Sequence, residues 1–269
     1  MDNLARRALA TNQAFLALGA EVFEADGATF VRDRSSPNVP DCNRIAHISA
    51  RTPEEIERLL ARAEREYAGF RELRFIVDFL TPPTVEARLA QEGYEHNELL
   101  VMVLESELAV EPRSHDVRLI DSDEAWREYE ALHELDWNLY HASLPPSVGR
   151  WSAEEMFRSR RAKWPPARYW LAYVDGEASA YLTSWEGIDG VGQVDDLLTH
   201  PDYRHRGLAT ALVHRGVADC RERGAGPVVI VADASGTPKQ MYAAMGFRPI
   251  AITRHYTKLL SGEKPAEST

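Results

Sequence analysis

The sequence predicts an α/β (α+β) protein: a mixed central sheet flanked by helices, built twice in tandem. Three observations carry this. From residue 116 onward the patterns run strand, helix, helix, three strands, helix, strand, helix, strand, so helices follow strands and parallel neighbours are required there. The first part of the chain repeats this order in reduced form. Two short helical segments, "VEARLAQEGY" and "PKQMYAAMGF", both stop at glycine and resume on an aromatic residue, which reads as one architecture used twice.

The elements follow in order. "MDNLARRALATNQAFLALGA" is read as an amphipathic helix; its polar residues and the lack of a clean cleavage site argue against a signal peptide. "AEVFEADGATFVRD" turns as a hairpin at Asp26-Gly27, "NRIAHISA" is a strand, and "TPEEIERLLARAEREYAG" is a helix. "LRFIVDFL" is a strand, "TPPTVEARLAQEG" a short helix and "YEHNELLVMVLE" a strand. The second part opens with the strand "HDVRLI" and the helix "DSDEAWREYEALHELDWNLY". A Pro/Gly/Ser loop, "HASLPPSVGR", leads to a helix whose start pairs Ser152 with Glu155 as a capping box. "RYWLAYVDGEASAYLTSWE" folds around Asp175-Gly176 as a hairpin, and "GQVDDLLTH" is the next strand. "GLATALVHRGVADCRERG" is a helix closed by Gly224, "PVVIVAD" a buried strand, "TPKQMYAAMG" a short helix and "FRPIAITRHYTKL" a last strand. The expected division is 1–110, 111–260 and a disordered tail, 261–269.

The chain has 269 residues, 44% of them hydrophobic and 27% charged, which is ample for a large core and ordinary for a globular protein. No run approaches the ~18 apolar residues of a membrane span. Cys42 and Cys220 are far apart and carry neither disulfide nor metal spacing, so no metal site is expected and a reducing cytoplasm is the expected location. The net charge of −11 argues against nucleic acid as a partner.

One stretch runs against that charge. In "HPDYRHRGLATALVHRGVADC" a basic turn, Arg204-His205-Arg206, meets Gly207 and opens a helix. Helix starts leave backbone N–H groups unpaired and carry partial positive charge, so a phosphate is stabilised there. Gly207 allows close approach, Ala209 keeps the first turn thin, and the arginines reach outlying phosphates.

"LLTHPDYRHRGLATAL" resembles the acetyl-coenzyme A signature of the GCN5-related N-acetyltransferases (GNAT). Downstream, "MYAAMGFRPI" resembles the Tyr-x-x-x-Gly-Phe segment of that family, with a strand between the two motifs as the family has it. The resemblance covers roughly 116–258; a dinucleotide fold is excluded, since no Gly-x-Gly-x-x-Gly is present. It implies a GNAT-like fold in which the strands around 193–199 and 227–232 splay apart. Pantetheine would then run beside Leu197, Leu198 and Thr199, and the pyrophosphate would meet residues 204–209, including His205, Gly207, Leu208 and Ala209. The family often has an asparagine where this chain has Ser235; a serine hydroxyl replaces one of its hydrogen bonds but not two.

The implied reaction moves an acetyl group from a thioester to an amine. It needs a base for the amine, a donor for the oxyanion and an acid for the leaving thiolate. Tyr242 stands at the family position for the acid, and the N–H near Leu198 for the oxyanion. Asp195 and Asp196 are the candidate bases, Asp195 ahead; it shares strand parity with Leu197 and Thr199 unless a bulge swaps the faces. Glu186 and His141 stand in reserve. Trp137, Tyr140 and Trp151 flank the acceptor-side loop.

The first half lacks this chemistry. "HISARTPEEIERLL" has no Arg-x-x-Gly-x-Ala, its helix start is crowded by Glu54, Glu55 and Glu57, and Leu89 stands where the second half has Tyr242. It is therefore expected to be a degenerate, non-catalytic copy. The expected partners are acetyl-CoA as cosubstrate and a small-molecule amine or peptide acceptor, with no membrane and a monomeric or homodimeric chain. A CoA-binding sensor on the same fold is the alternative function, and tRNA-dependent aminoacyl transfer is disfavoured by the acidic surface.

Overall fold

A computed structural model describes residues 3–142 and 153–260. Two compact units are built from interleaved segments. Unit I takes residues 3–15, 100–142 and 163–250; unit II takes residues 16–99, 153–162 and 251–260. The consecutive division into 1–110 and 111–260 is therefore corrected.

Unit II holds β1 (Glu21–Ala25), β2 (Ala28–Arg32), β3 (Arg44–Ala46), α2 (Pro53–Glu66), β4 (Glu72–Val77) and α3 (Pro83–Gln91). β1 and β2 pair antiparallel, as do β2 and β3, whereas β3 and β4 pair parallel. The sheet is continued by the last strand of the chain, β11 (Arg248–Leu259), which lies antiparallel to β4 with Tyr256 opposite Phe75. The core packs Phe30, Ile45, Leu59, Phe75 and Leu89.

Unit I opens with α1 (Asn3–Ala17). This helix joins unit I because Phe15 lies 6.1 Å from the Trp185 ring, Thr11 Oγ1 donates to Val191 O at 3.3 Å, and Arg7 Nε donates to Asp189 O at 3.0 Å. The other elements are β6 (Asp116–Leu119), α4 (Asp123–Ala142), β7 (Arg168–Val174), β8 (Glu177–Ile188), β9 (Val191–Thr199), α6 (Leu208–Glu222), β10 (Val228–Asp233) and α7 (Pro238–Ala244). α5 (Ala153–Arg161) belongs to unit II. β6 to β9 pair antiparallel in succession, β9 and β10 pair parallel, and β10 is flanked by residues 100–104 of β5 (Glu95–Leu104). The β7-β8-β9-α6-β10-α7 succession thus matches β1-β2-β3-α2-β4-α3.

The ends of α3 and α7 are closed alike. Tyr94 N donates to Leu89 O and Gly93 N to Ala90 O, each at 3.1 Å; Phe247 N donates to Tyr242 O and Gly246 N to Ala243 O, each at 3.0 Å. Both glycines have positive φ, as this helix-ending motif requires.

α6 lies close on β8 and β9 because Gly216 has no side chain: a Cβ there would stand 2.5 Å from Leu182 Cδ2 and 2.9 Å from Val194 Cγ1. Leu182, Val194, Leu208, Leu212 and Val217 form the core beneath it. This contact fixes where the start of α6 points.

Candidate active site

The parallel pairing of β9 and β10 is confined to Gly192–Val228 and Gln193–Val229. β9 continues to Thr199 and β10 to Asp233, so the two strands separate over their C-terminal halves. A cleft of about 610 Å³ opens at this fork. Leu197, Leu198 and Thr199 form one wall, Thr237, Pro238, Met241 and Tyr242 the other, and Arg204, His205 and residues 207–210 the end.

The turn into α6 is built for an open helix start. Pro201–Tyr203 forms a 3-10 turn in which His200 Nδ1 accepts from Asp202 N. His205 and Gly207 then take left-handed backbone conformations, φ 62° and 92°. Gly207 is the N-cap residue and supplies no side chain to satisfy the helix, and the first turn of α6 holds no acidic residue. The first intrahelical bond is Ala211 N to Gly207 O at 3.0 Å, which leaves the N–H groups of residues 208–210 directed at the cleft end. Here the residues fit a pyrophosphate: unpaired N–H groups, the positive end of a helix dipole and the Arg204 side chain.

The matching helix of unit II is closed. Thr52 Oγ1 accepts from Glu55 N, and the Glu55 carboxylate accepts from the backbone of Arg51 and Thr52. These donations hold the Glu55 carboxyl below the usual carboxylate range. The helix start is occupied by its own side chains.

Asp195 and Tyr242 lie in one electrostatic neighbourhood. Asp195 Oδ2 accepts from Gln193 Nε2 at 2.7 Å and Oδ1 from Asp196 N at 2.8 Å. Burial, and then the neighbouring Asp196 charge, push the Asp195 carboxyl up to about 6, against the opposing pull of Lys163 and the two hydrogen bonds. Tyr242 is buried, lines the cleft and packs edge-on to Phe247 at 6.2 Å. Burial, then the Asp195 charge, raise its phenol, so it stays protonated across the physiological range.

Several expected site residues lie elsewhere. Ser235 is folded onto its own loop, its N–H and hydroxyl both donating to Asp233 Oδ1, and it does not line the cleft. Thr237 takes that wall instead, because the loop closes on Asp233. Arg206 turns away: it donates to Asp202 O at 3.2 Å and stacks 5.1 Å over Tyr203. Glu186 is ion-paired with Arg223, within a network around the buried Asp219, so it is not a free base. Asp196 sits beside Asp195 but not on the cleft wall. α4 extends through His141 and Ala142, so the backbone of His141 is helical rather than in a loop. The side chains of Tyr140 and His141, together with Trp151, Ser152 and the tail 261–269, lie outside the described residues. Trp137 stacks on His133 at 6.5 Å. Among the described residues no cluster of His, Cys, Asp or Glu is arranged to hold a metal ion, and no helix is long and apolar enough to cross a membrane.

Two residues were not singled out from the sequence. Asp136 of α4 lines the cleft and accepts from Tyr181 Oη at 3.2 Å. Its sequence signal is a carboxylate continuing the stripe of Trp126, Tyr129 and His133 at helical spacing. Lys163, 4% exposed, had no sequence signal.

The forked strands, the open helix start and the buried tyrosine define the nucleotide-and-thioester class of α/β transferase folds. Residues 129–247 match the model of the acetyltransferase (GNAT) family, and this stretch is a GNAT acetyltransferase domain. A mycothiol acetyltransferase of Thermobispora bispora is 31% identical over 112 residues, 38% of this chain and 37% of that protein, so the chain spans just over a third of that relative. A GCN5-related N-acetyltransferase from Kribbella flavida superposes with a TM-score of 0.70 at 17% identity, covering 96% of each chain. A tandem GNAT protein from the clavulanic acid biosynthesis pathway superposes with a TM-score of 0.58 at 14% identity, covering 88% of this chain and 79% of that one. These two likenesses concern the fold.

Proposed function

We propose that the chain is an acetyl-CoA-dependent N-acetyltransferase acting on a primary amine of a small molecule or peptide. Unit I carries the site, and the strands and helices of unit II form a second copy without catalytic function. The observation that carries the reading is the uncapped start of α6 opening into the cleft that Tyr242 lines. In unit II the corresponding start is closed by Thr52 and Glu55, and Leu89 stands in the core at the position matching Tyr242.

In this reading the N–H groups of Leu208, Ala209 and Thr210 hold the pyrophosphate, with Arg204 and His205 beside them. The free edge of Leu197–Thr199 runs along the pantetheine, and the N–H near Leu198 serves the oxyanion. The thioester supplies the activated acyl group. Asp195 accepts a proton from the acceptor's ammonium or amine, as its ionised form predominates above about pH 6. Tyr242, protonated at neutral pH, delivers a proton to the departing sulfur. Asp136 adds a second carboxylate at the cleft, which favours a cationic acceptor.

The test is thiol release from acetyl-CoA across a panel of amines, amino acids and peptides, beside calorimetric titration of CoA. Binding at one site per chain with turnover on an amine supports the reading. Two equivalent sites would reject the non-catalytic role of unit II, and binding without turnover on any amine would favour a CoA sensor.

A further inference from the structure

Lys163 is a buried cation without a salt bridge among the described residues. Its ammonium lies 4.3 Å from the centre of the Phe15 ring, and Phe15 lies 6.1 Å from Trp185 on β8. Trp185 pairs with Gln193 across β8 and β9, and Gln193 in turn donates to Asp195. Lys163 is thereby seated against the face that carries Asp195. An ammonium removed from water is costly unless an opposite charge lies near, and a ring face offsets that cost only in part.

We propose that Lys163 is the fixed countercharge of Asp195, a positioning residue that holds this carboxylate ionised where burial and a second aspartate oppose it. The groups around Asp195 are few. Gln193 and Asp196 lie on its own strand, the uncharged Thr183 stands opposite on β8, Tyr242 approaches from α7, and Lys163 comes from the segment after α5. Lys163 is the cation of this set. Asp196 opposes the Asp195 charge and Lys163 favours it. The role rests on the reading of Asp195 as the acceptor's base, but the pairing itself is readable without catalysis.

The experiment is a titration of the Asp195 carboxyl by ¹³C NMR, with the resonance assigned by its loss in Asp195→Asn. The wild-type midpoint is expected near 6. Lys163→Met and Lys163→Gln should raise it by about one pH unit, Lys163→Arg should leave it within a few tenths, and Asp196→Asn should lower it. An unmoved midpoint in a folded neutral variant overturns the proposal. Should both neutral variants fail to fold, Phe15→Leu keeps the charge but removes the ring that seats it; the midpoint must then rise, and no change overturns the pair. The acidic limb of kcat/KM in Lys163→Gln separates the two readings. A limb that moves with the NMR midpoint supports both. A moved midpoint with an unmoved limb upholds the pair and rejects Asp195 as the base.

Discussion

Thr183 and Asp195 face one another across β8 and β9, and directly beyond them the register slips, so that Tyr181 pairs with Leu198. β9 holds one residue more than β8 in this stretch, and Asp196 there takes a left-handed φ of 52°. A bulge of this kind re-aims the side chains that follow it. Leu198, rather than Leu197, therefore shares the Tyr181 side with Asp195, and Leu197 turns to the core under α6. The simple alternation that would put Leu197 with Asp195 does not hold.

The open start of α6 is tested by Gly207→Glu. Gly207 has φ 92°, and a Cβ there would stand 3.2 Å from Arg113 Cδ. A carboxylate would also face the site proposed for the pyrophosphate. CoA affinity is expected to fall at least ~100-fold by calorimetry, through strain and like charge. Undiminished affinity in a folded variant would put the nucleotide elsewhere.

Tyr242→Phe removes one hydroxyl from a buried ring. No hydrogen bond to this hydroxyl is formed among the described residues, so the unfolding midpoint should barely move. If the phenol protonates the thiolate, kcat should fall by about 10²–10⁴, toward the lower end because a thiolate leaves readily. Full turnover on a genuine acceptor would make Tyr242 a packing residue.

Asp195→Asn has a kinetic and a thermodynamic signature. In the wild type, kcat/KM should fall below about pH 6, where Asp195 takes up its proton. The variant should lose that limb and recover part of its activity at high pH, where more of the amine is uncharged. Stability should move the other way. The folded-state pKa is raised above the unfolded value, so the unfolded chain binds fewer protons between the two and the wild type loses stability as pH rises through this window. Asp195→Asn should therefore be more stable than wild type at pH 8, by about 1–3 kcal/mol, and no more stable near pH 3. A stability difference independent of pH, measured by denaturant titration, would refute this.

Gly216→Val tests how α6 is seated. The new side chain would enter the packed space of Leu182 and Val194. Overpacking of this kind costs roughly 1–3 kcal/mol, and a lower urea midpoint is expected. CoA affinity should fall too, since a shifted α6 misplaces its N-terminus. A variant that binds and unfolds like wild type would show the close approach to be immaterial.

Thr52→Ala addresses unit II. Loss of the cap should lower stability by about 1 kcal/mol. CoA binding should be unchanged, because that helix start is expected to hold no nucleotide. Weakened CoA binding would contradict the division of roles between the units.

Much of this protein is determined by its sequence alone. Local periodicity and turn chemistry specified almost every element: the hairpins at Asp26-Gly27 and Asp175-Gly176 and the helices ended by Gly93, Gly224 and Gly246 all depend on neighbouring residues. The α6 start was legible for the same reason, since an open N-terminus needs only a glycine and the absence of a capping side chain. What tertiary structure decided was long-range. Residues 3–15 and 251–260 joined units remote from them in sequence, because a strand pattern states which face is apolar but not which sheet edge it will complete. Ser235, Arg206 and Glu186 were drawn to Asp233, Tyr203 and Arg223, partners that spacing does not reveal. Asp136 and Lys163 reached the neighbourhood of the cleft and of Asp195 from segments whose own patterns carry no sign of it, since burial of a charge depends on everything packed around it.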